Sequence, residues 1–401
     1  MRTTWNFHTA GQLVFGNGAA RHIGGLLAKR KLRRAFVVTD KQLMAADIAP
    51  RVMQSLTEAS LSTHLFDEGA AEPSIEVAVK AAEWATAFQP DCIVGVGGGS
   101  NMDLAKIVAV LVTHGGSPEK YFSFGNVPGP VLPLACVPTT AGTGSEVSHA
   151  AVLTDTANKM KVSTLSNFLR PALAVVDPEL TFTCPPKVTA DSGIDALTHA
   201  IEAYTAIDYP QLDATLGEDV AYQGKHPLGD CLAEKAISLI GQHLATAVKD
   251  GSNRAAREGM SLAATLAGMS FSNCAVALVH ALEYPLGGAI HVSHGAGNGL
   301  LLPYVMRFNL PQRKAAFARI AELLGENVSG LSEDAAAERA IAAVDRLRSE
   351  IGIPLRIRDI GGKRDQLPEF AAKAFAIKRL IAVNPRRASE KDLLGILEAA
   401  Y

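Results

Sequence analysis

The chain has 401 residues, 48% of them apolar and 19% charged, with a formal net charge of -2. That length suits two domains and a large core, and the composition carries no disordered bias. The near-neutral charge gives no basic footprint for nucleic acid, and no apolar run approaches a membrane span; Ile107 to Val112 is too short and follows Lys106.

Five scattered cysteines (Cys92, Cys136, Cys184, Cys231, Cys274) form no Cys-x-x-Cys pair. They fit reduced thiols in a cytoplasmic protein. The start, Met1-Arg-Thr-Thr-Trp-Asn-Phe-His8, does not read as a signal peptide.

Residues 1–180 alternate short apolar runs with helical patterns. Strands are expected at Ala35–Asp40, near Ser62–Phe66, at Asp91–Val96 and at Pro133–Val137. Helices are expected up to about Ala59 and over Ser74–Ala87, with Ser74 as N-cap. This rhythm predicts an α/β domain with a mostly parallel sheet and helices on both faces. After Asp177-Pro178 the strand-like runs give way to helical periodicity, at Ala233–Val248, Ala255–Met269 and Ala335–Ile351. An all-helical domain is expected over residues 181–401. The Pro-rich Thr183–Lys187 marks the corner.

Three stretches of the first domain suit a nucleotide. Gly97-Gly98-Gly99-Ser100 follows a strand, and glycine lets backbone approach a ligand closely. Ser100 with Asp103 reads as a helix start. A glycine loop at a helix N-terminus suits phosphate, although a tight strand-to-helix turn has the same sequence. It is not the Gly-x-Gly-x-x-Gly fingerprint. Asp40, at a strand end, suits the ribose hydroxyls of an adenosine and opposes a 2′-phosphate; a turn aspartate is the plainer alternative. Pro138-Thr139-Thr140-Ala-Gly-Thr143-Gly-Ser-Glu146 offers flexible backbone and hydroxyls, or else is a polar hairpin.

In the second domain, Asp195 and His199 are four apart, on one face of a helix. A carboxylate and an imidazole so placed suit a divalent cation, or simply face solvent. The segment His280–Gly295 adds His280, His291 and His294. Its Gly287-Gly288 is expected to supply the turn between His280 and His294. His8, His22, His64, His114, His149, His226 and His243 lack a ligand-like context and are expected to be structural or exposed.

Together, Gly97–Lys106, Pro138–Glu146, Asp191–Glu202, the histidine segment and Asn384-Pro-Arg386 resemble the iron-containing (group III) alcohol dehydrogenase family, in that family's order over nearly the whole chain. The resemblance implies a dehydroquinate-synthase-like two-domain fold, with metal and nicotinamide meeting in a cleft. It implies metal ligands Asp195, His199, His280 and His294. It gives Asp40 to the adenosine ribose and Gly97, Gly98, Gly99 and Ser100 to the pyrophosphate. Asp103 belongs to the same cofactor motif, and Thr139, Thr140, Thr143 and Lys161 complete the contacts. NAD and one divalent ion, iron(II) or zinc, are the implied cofactors. The implied substrate is a small alcohol, aldehyde or hydroxyacid, and the implied assembly a homodimer.

Where many members carry a second histidine, linked to proton transfer, this chain has Tyr284; Tyr284 or His291 is the expected relay. The segment from about Asp208 to Asp230 reads as an insertion relative to the family's short members, and its closing phrase, Ala221–Asp230, resembles with that tyrosine the hydroxyacid–oxoacid transhydrogenase branch. The activities to weigh are an NAD-dependent alcohol dehydrogenase, such a transhydrogenase, a dehydroquinate-synthase-like lyase, and a non-catalytic nucleotide-binding protein. Three imidazoles and one carboxylate favour the metal chemistry of the first. The lyase would place a glutamate at position 195.

Overall fold

Alternate residues of the central strands face opposite sides, and both sides are apolar. Phe36 and Val38 belong to one buried cluster, Ala35 and Val37 to another. A strand buried on both faces is the signature of a parallel sheet sandwiched by helices. In the computed structural model, which describes residues 1–158, 160–213 and 220–401, that sheet has six strands.

The chain runs β1 (Leu13–Phe15), α1 (Ile23–Lys29), β2 (Arg34–Val38), α2 (Lys41–Ala45), α3 (Ile48–Glu58), β3 (Ser62–Phe66), α4 (Ile75–Phe88), β4 (Cys92–Gly97) and α5 (Gly99–His114). Then come β5 (Ser123–Phe124), β6 (Leu134–Pro138), β7 (Ala150–Asp155), β8 (Met160–Leu165) and β9 (Leu173–Val176). The sheet order is β1-β9-β6-β4-β2-β3, all parallel. One face is covered by α1 and α3, the other by α4 and α5. A second sheet, β5-β8-β7, contains the antiparallel pair β7–β8. The segment 138–146 therefore leaves one sheet for another and is not a hairpin. From β2 the chain steps outward to β3, then returns to β4 on the other side of β2. The carboxyl ends of β2 and β4 thus flank the point where strand order reverses, the place where open α/β sheets bind ligands.

The helical unit comprises α6 (Pro186–Thr205), α7 (Pro227–Lys249), α8 (Arg254–Phe271), α9 (Leu278–Ile290), α10 (His294–Asn309), α11 (Lys314–Leu323), α12 (Glu333–Glu350), α13 (Leu367–Ala376), α14 (Lys378–Ala382) and α15 (Glu390–Ala400). Contacts divide the chain between Cys184 and Pro185, inside the Pro-rich corner. Met1–Phe7 join the helical unit rather than the α/β one. Trp5 stacks on His226 at 4.2 Å between ring centroids. His226 is structural: it caps α7 by accepting from Gly229 N, and burial lowers its pKa to about 4. Part of the segment read as an insertion, residues 214–219, lies outside the described residues. Among those described, no helix is long and apolar enough to cross a membrane.

Two features concern how ligands are presented. Helix α9 does not turn at Gly287-Gly288; it continues through them to Ile290. The reversal comes at His291, which adopts φ 59° and caps the helix by donating its N–H to Gly287 O. A second feature, which the sequence did not suggest, is Gly295, one residue past His294. A Cβ there would lie 1.9 Å from the carbonyl oxygen of Asp191 on α6. Only glycine allows so close an approach of α10 to α6.

Gly295→Ala should therefore destabilise the protein by about 1–3 kcal/mol and lower its divalent-metal content, because α10 must move away from Asp195. Gly25→Ala, where an added Cβ meets nothing within 4 Å, should do neither. Thermal unfolding and metal analysis of the two variants check this.

Candidate functional site

Asp195 and His199 project from α6, His280 from α9 and His294 from the first turn of α10. Ligand atoms of Asp195, His280 and His294 lie within 4.8 Å of one another. His199 Nε2 is 3.9 Å from Asp195 Oδ1, and its ring stacks on His280 at 4.9 Å. Three of the four side chains expected as ligands thus form one tight group, and His199 lies beside it against Asp195 and His280. Asp195, His199 and His280 are buried, and His294 is partly open. On the far side of His199, Phe271 stacks at 4.2 Å.

Two glutamates fix the imidazoles. Glu202 Oε2 lies 2.6 Å from His280 Nδ1, and Glu283 Oε2 is hydrogen-bonded to His294 Nδ1. A carboxylate takes the Nδ1–H and leaves the Nε2 lone pair facing inward, the usual support of a metal-bound histidine. Glu202 is itself held by Val279 N at 2.7 Å. Burial acts to raise the Asp195 pKa, but the positive charge of the His199, His294 and His280 imidazoles when protonated, with the Asn298 amide, holds it below the usual range. A divalent cation could take the place of those protons, bound by the Nε2 lone pairs and the buried carboxylate.

Sequence reasoning missed Glu202, Glu283 and Asn298 as members of this cluster. Their signal is helical phase. Glu202 follows His199 by three, Glu283 follows His280 by three, and Asn298 follows His294 by four. Of the two relay candidates, Tyr284 is half-buried with its ring 6.1 Å from that of His294. His291 is exposed, at the helix end.

In the α/β unit the three expected nucleotide stretches also converge. Gly97 pairs with Pro138 at the ends of β4 and β6, and Thr139 N donates to Gly97 O at 3.0 Å. Gly97 has φ 150°. A Cβ on Gly99 would strike Thr143, at 2.6 Å, whereas one on Gly98 would meet Thr140 at an ordinary 3.4 Å. The threonine segment therefore lies directly over the glycine turn.

Asp40 caps α2, its Oδ1 accepting from Gln42 N and Leu43 N, both at 2.9 Å. Its Oδ2 accepts from Asn101 Nδ2 at 2.7 Å. Asn101, another residue the sequence did not flag, ties the end of β2 to the glycine turn.

Two expectations change here. Ser100 and Asp103 do not cap α5: Gly98 is the N-cap, without a side-chain bond. Ser100 instead donates to Ala71 O. Asp103 accepts from Ser145 Oγ at 2.6 Å and Val152 N at 2.9 Å, beside the fully buried Lys106. Lys106 donates to Ser145 Oγ at 2.8 Å and Ala150 O at 2.7 Å. Asp103 and Lys106 thus anchor Ser145, at the end of the threonine segment, to α5. Lys161 is buried on β8, 3.3 Å from Glu72 Oε1.

Comparison with known proteins agrees with this geometry. Residues 10–178 match the family described as iron-containing alcohol dehydrogenase, and residues 189–401 match its C-terminal part. The NAD-dependent methanol dehydrogenase of Bacillus methanolicus is 36% identical over 98% of this chain and 99% of its own. The 1,3-propanediol dehydrogenase of Klebsiella pneumoniae is 38% identical over 96% of each chain. A crystal structure of a 1,3-propanediol oxidoreductase superposes with a TM-score of 0.92 at 36% identity, covering 99% of this chain and 100% of its own. With both halves matched and relatives of this similarity along nearly its full length, the chain belongs to the iron-containing alcohol dehydrogenase family.

Proposed function

We propose that the protein is an NAD-dependent, metal-dependent alcohol dehydrogenase that moves a hydride between a small alcohol and the nicotinamide. The observation that carries this reading is the convergence of Asp195, His280 and His294, both imidazoles oriented by buried glutamates, with His199 Nε2 3.9 Å from the same Asp195 oxygen. A divalent cation held there, iron(II) or zinc, supplies Lewis acidity that makes an alcohol easier to deprotonate. Imidazole suits either metal. The relatives' names, a methanol and a 1,3-propanediol dehydrogenase, support short alcohols and diols as substrates.

The chain's own residues divide the remaining work. Asp195 brings the negative charge, and Glu202 and Glu283 keep the imidazole Nε2 atoms free to ligate. Phe271 shields His199. Tyr284, next to His294, is the better placed of the two relay candidates to pass the alcohol proton toward solvent. His291, exposed at the end of α9, is the alternative. In the α/β unit, Gly97, Gly98 and Gly99 at the start of α5 hold the pyrophosphate, with Ser100, Thr139, Thr140 and Thr143 around it. Asp103 supports that cradle from behind, and Lys161 borders it. Asp40 takes the adenosine ribose with its remaining acceptor capacity and repels a 2′-phosphate.

With a short alcohol and NAD alone, the enzyme should accumulate NADH. Accumulation only when an oxoacid is added would favour the transhydrogenase branch. Chelation should abolish turnover and lower the melting temperature, since a ligand bound only to the folded state at a thousandfold excess over Kd contributes about 4 kcal/mol. His280→Ala should reproduce both effects, while His243→Ala, on α7, should leave metal content unchanged. Turnover by metal-stripped wild type would contradict the reading.

Asp40→Ser keeps a capping side chain but removes the charge. It should raise NADP efficiency relative to NAD, measured as the ratio of kcat/KM values. A wild type that already prefers NADP would show that Asp40 has another role.

A further inference from the structure

We propose that Asn298 is a positioning residue for the metal ligands, its amide holding Asp195 Oδ1 toward the imidazoles. The inference rests on the metal reading above and adds a residue to which that reading gives no role. Asn298 is fully buried on α10, four residues after His294. Its Nδ2 lies 2.8 Å from Asp195 Oδ1, 3.2 Å from His280 Nε2 and 3.2 Å from His294 Nε2. One side-chain nitrogen therefore touches ligand atoms from three different helices.

The chemistry ranks these contacts. An amide has two N–H donors and here faces three acceptors. The charged carboxylate takes the shortest and strongest bond. Glu202 and Glu283 occupy the Nδ1 sides of both imidazoles, so each Nε2 presents a lone pair. A ligating cation takes those lone pairs and ends the imidazole contacts. The carboxylate oxygen has further acceptor capacity, so the Asn298–Asp195 bond is compatible with ligation. The opposite end of the amide, Oδ1, is buried without a hydrogen-bond partner among the described residues. Turning the amide round would set Oδ1 against Asp195 Oδ1, oxygen against oxygen. What fixes the side chain is therefore its donor end, and the donor end addresses Asp195.

The glutamates orient the imidazoles; among the described residues, Asn298 gives the one side-chain hydrogen bond to Asp195 Oδ1. Its loss should free that carboxylate to rotate, at a cost of about 10–100-fold in metal affinity, as for other groups that orient ligands.

Cobalt(II) is the probe, because its visible absorption reports ligand geometry. The full-length protein is stripped of metal, and cobalt affinity is measured by competition with a chromophoric chelator. Wild type should bind one equivalent. Asn298→Ala should bind about 10–100-fold more weakly with a changed spectrum. Its melting temperature measured in chelator should fall less than its melting temperature with cobalt. Asn298→Asp keeps the size of the side chain, loses the donor and sets a second carboxylate beside Asp195. It should bind no better than Asn298→Ala, and it serves alone if the alanine variant does not fold. Wild-type affinity and spectrum in Asn298→Ala would overturn the inference. Tighter binding in Asn298→Asp would also overturn it, because position 298 would then act as a ligand. A wild type that binds no cobalt would overturn the metal reading itself, and this inference with it.

Discussion

A buried concentration of negative charge dominates the helical unit. Asp195 is 2% exposed, Glu202 4% and Glu283 0%. Three carboxylates in a low-dielectric setting are costly unless each has a partner. Glu202 and Glu283 find theirs in imidazole Nδ1–H groups, and Asp195 faces the Nε2 atoms those contacts define. With neutral imidazoles the set stays net negative, and the divalent cation proposed above would offset most of that charge. The helices around the cluster are arranged to permit this. Helix α6 brings Asp195, His199 and Glu202 on successive turns of one face. Gly295 allows α10 to come against α6, and the reversal at His291 sets His294 beside His280.

The α/β unit would meet a different demand, that of presenting backbone to the proposed pyrophosphate. The sheet supplies two adjacent carboxyl ends at its switch point, and the glycines leave room there for Asn101 and Thr143 to pack closely against the turn. Asn101 joins Asp40 to this turn, while Asp103 and Lys106 fasten the threonine segment above it. The tolerance at Gly98 and the tight fit at Gly99 show which side of the turn is packed against protein and which stays accessible.

Much of this was legible in the chain. The central strands could be placed because they are uniformly apolar and bounded by turn residues. The long helices could be placed from their period. The nearness of Asp195, His199, His280 and His294 was legible through motif resemblance more than through spacing, since four residues spread over three helices leave no local pattern. Gly287-Gly288 misled because glycine usually punctuates a helix; here Gly287 is buried and tertiary packing carries α9 through the pair. Ser100 and Asp103 misled for a related reason: a three-residue spacing implies a capping box, but both side chains found partners elsewhere in the fold. The first seven residues carried no sign of their place beside His226, a partner more than two hundred residues away. The β7–β8 hairpin was likewise unread. The supporting residues Glu202, Glu283 and Asn298 were visible only after the ligands had been fixed on helices, because helical phase becomes informative once one member of a face is known.

The central claim is that Asp195 and the Nε2 atoms of His199, His280 and His294 hold one divalent cation. Anomalous diffraction at the iron and zinc absorption edges, on crystals of metal-loaded protein, tests it most directly. The predicted result is one peak bonded to these four groups, with the Nδ1 atoms of His280 and His294 still on Glu202 and Glu283. A peak elsewhere, a peak on an Nδ1 atom, or no peak from protein that carries a full equivalent of metal in solution would contradict it.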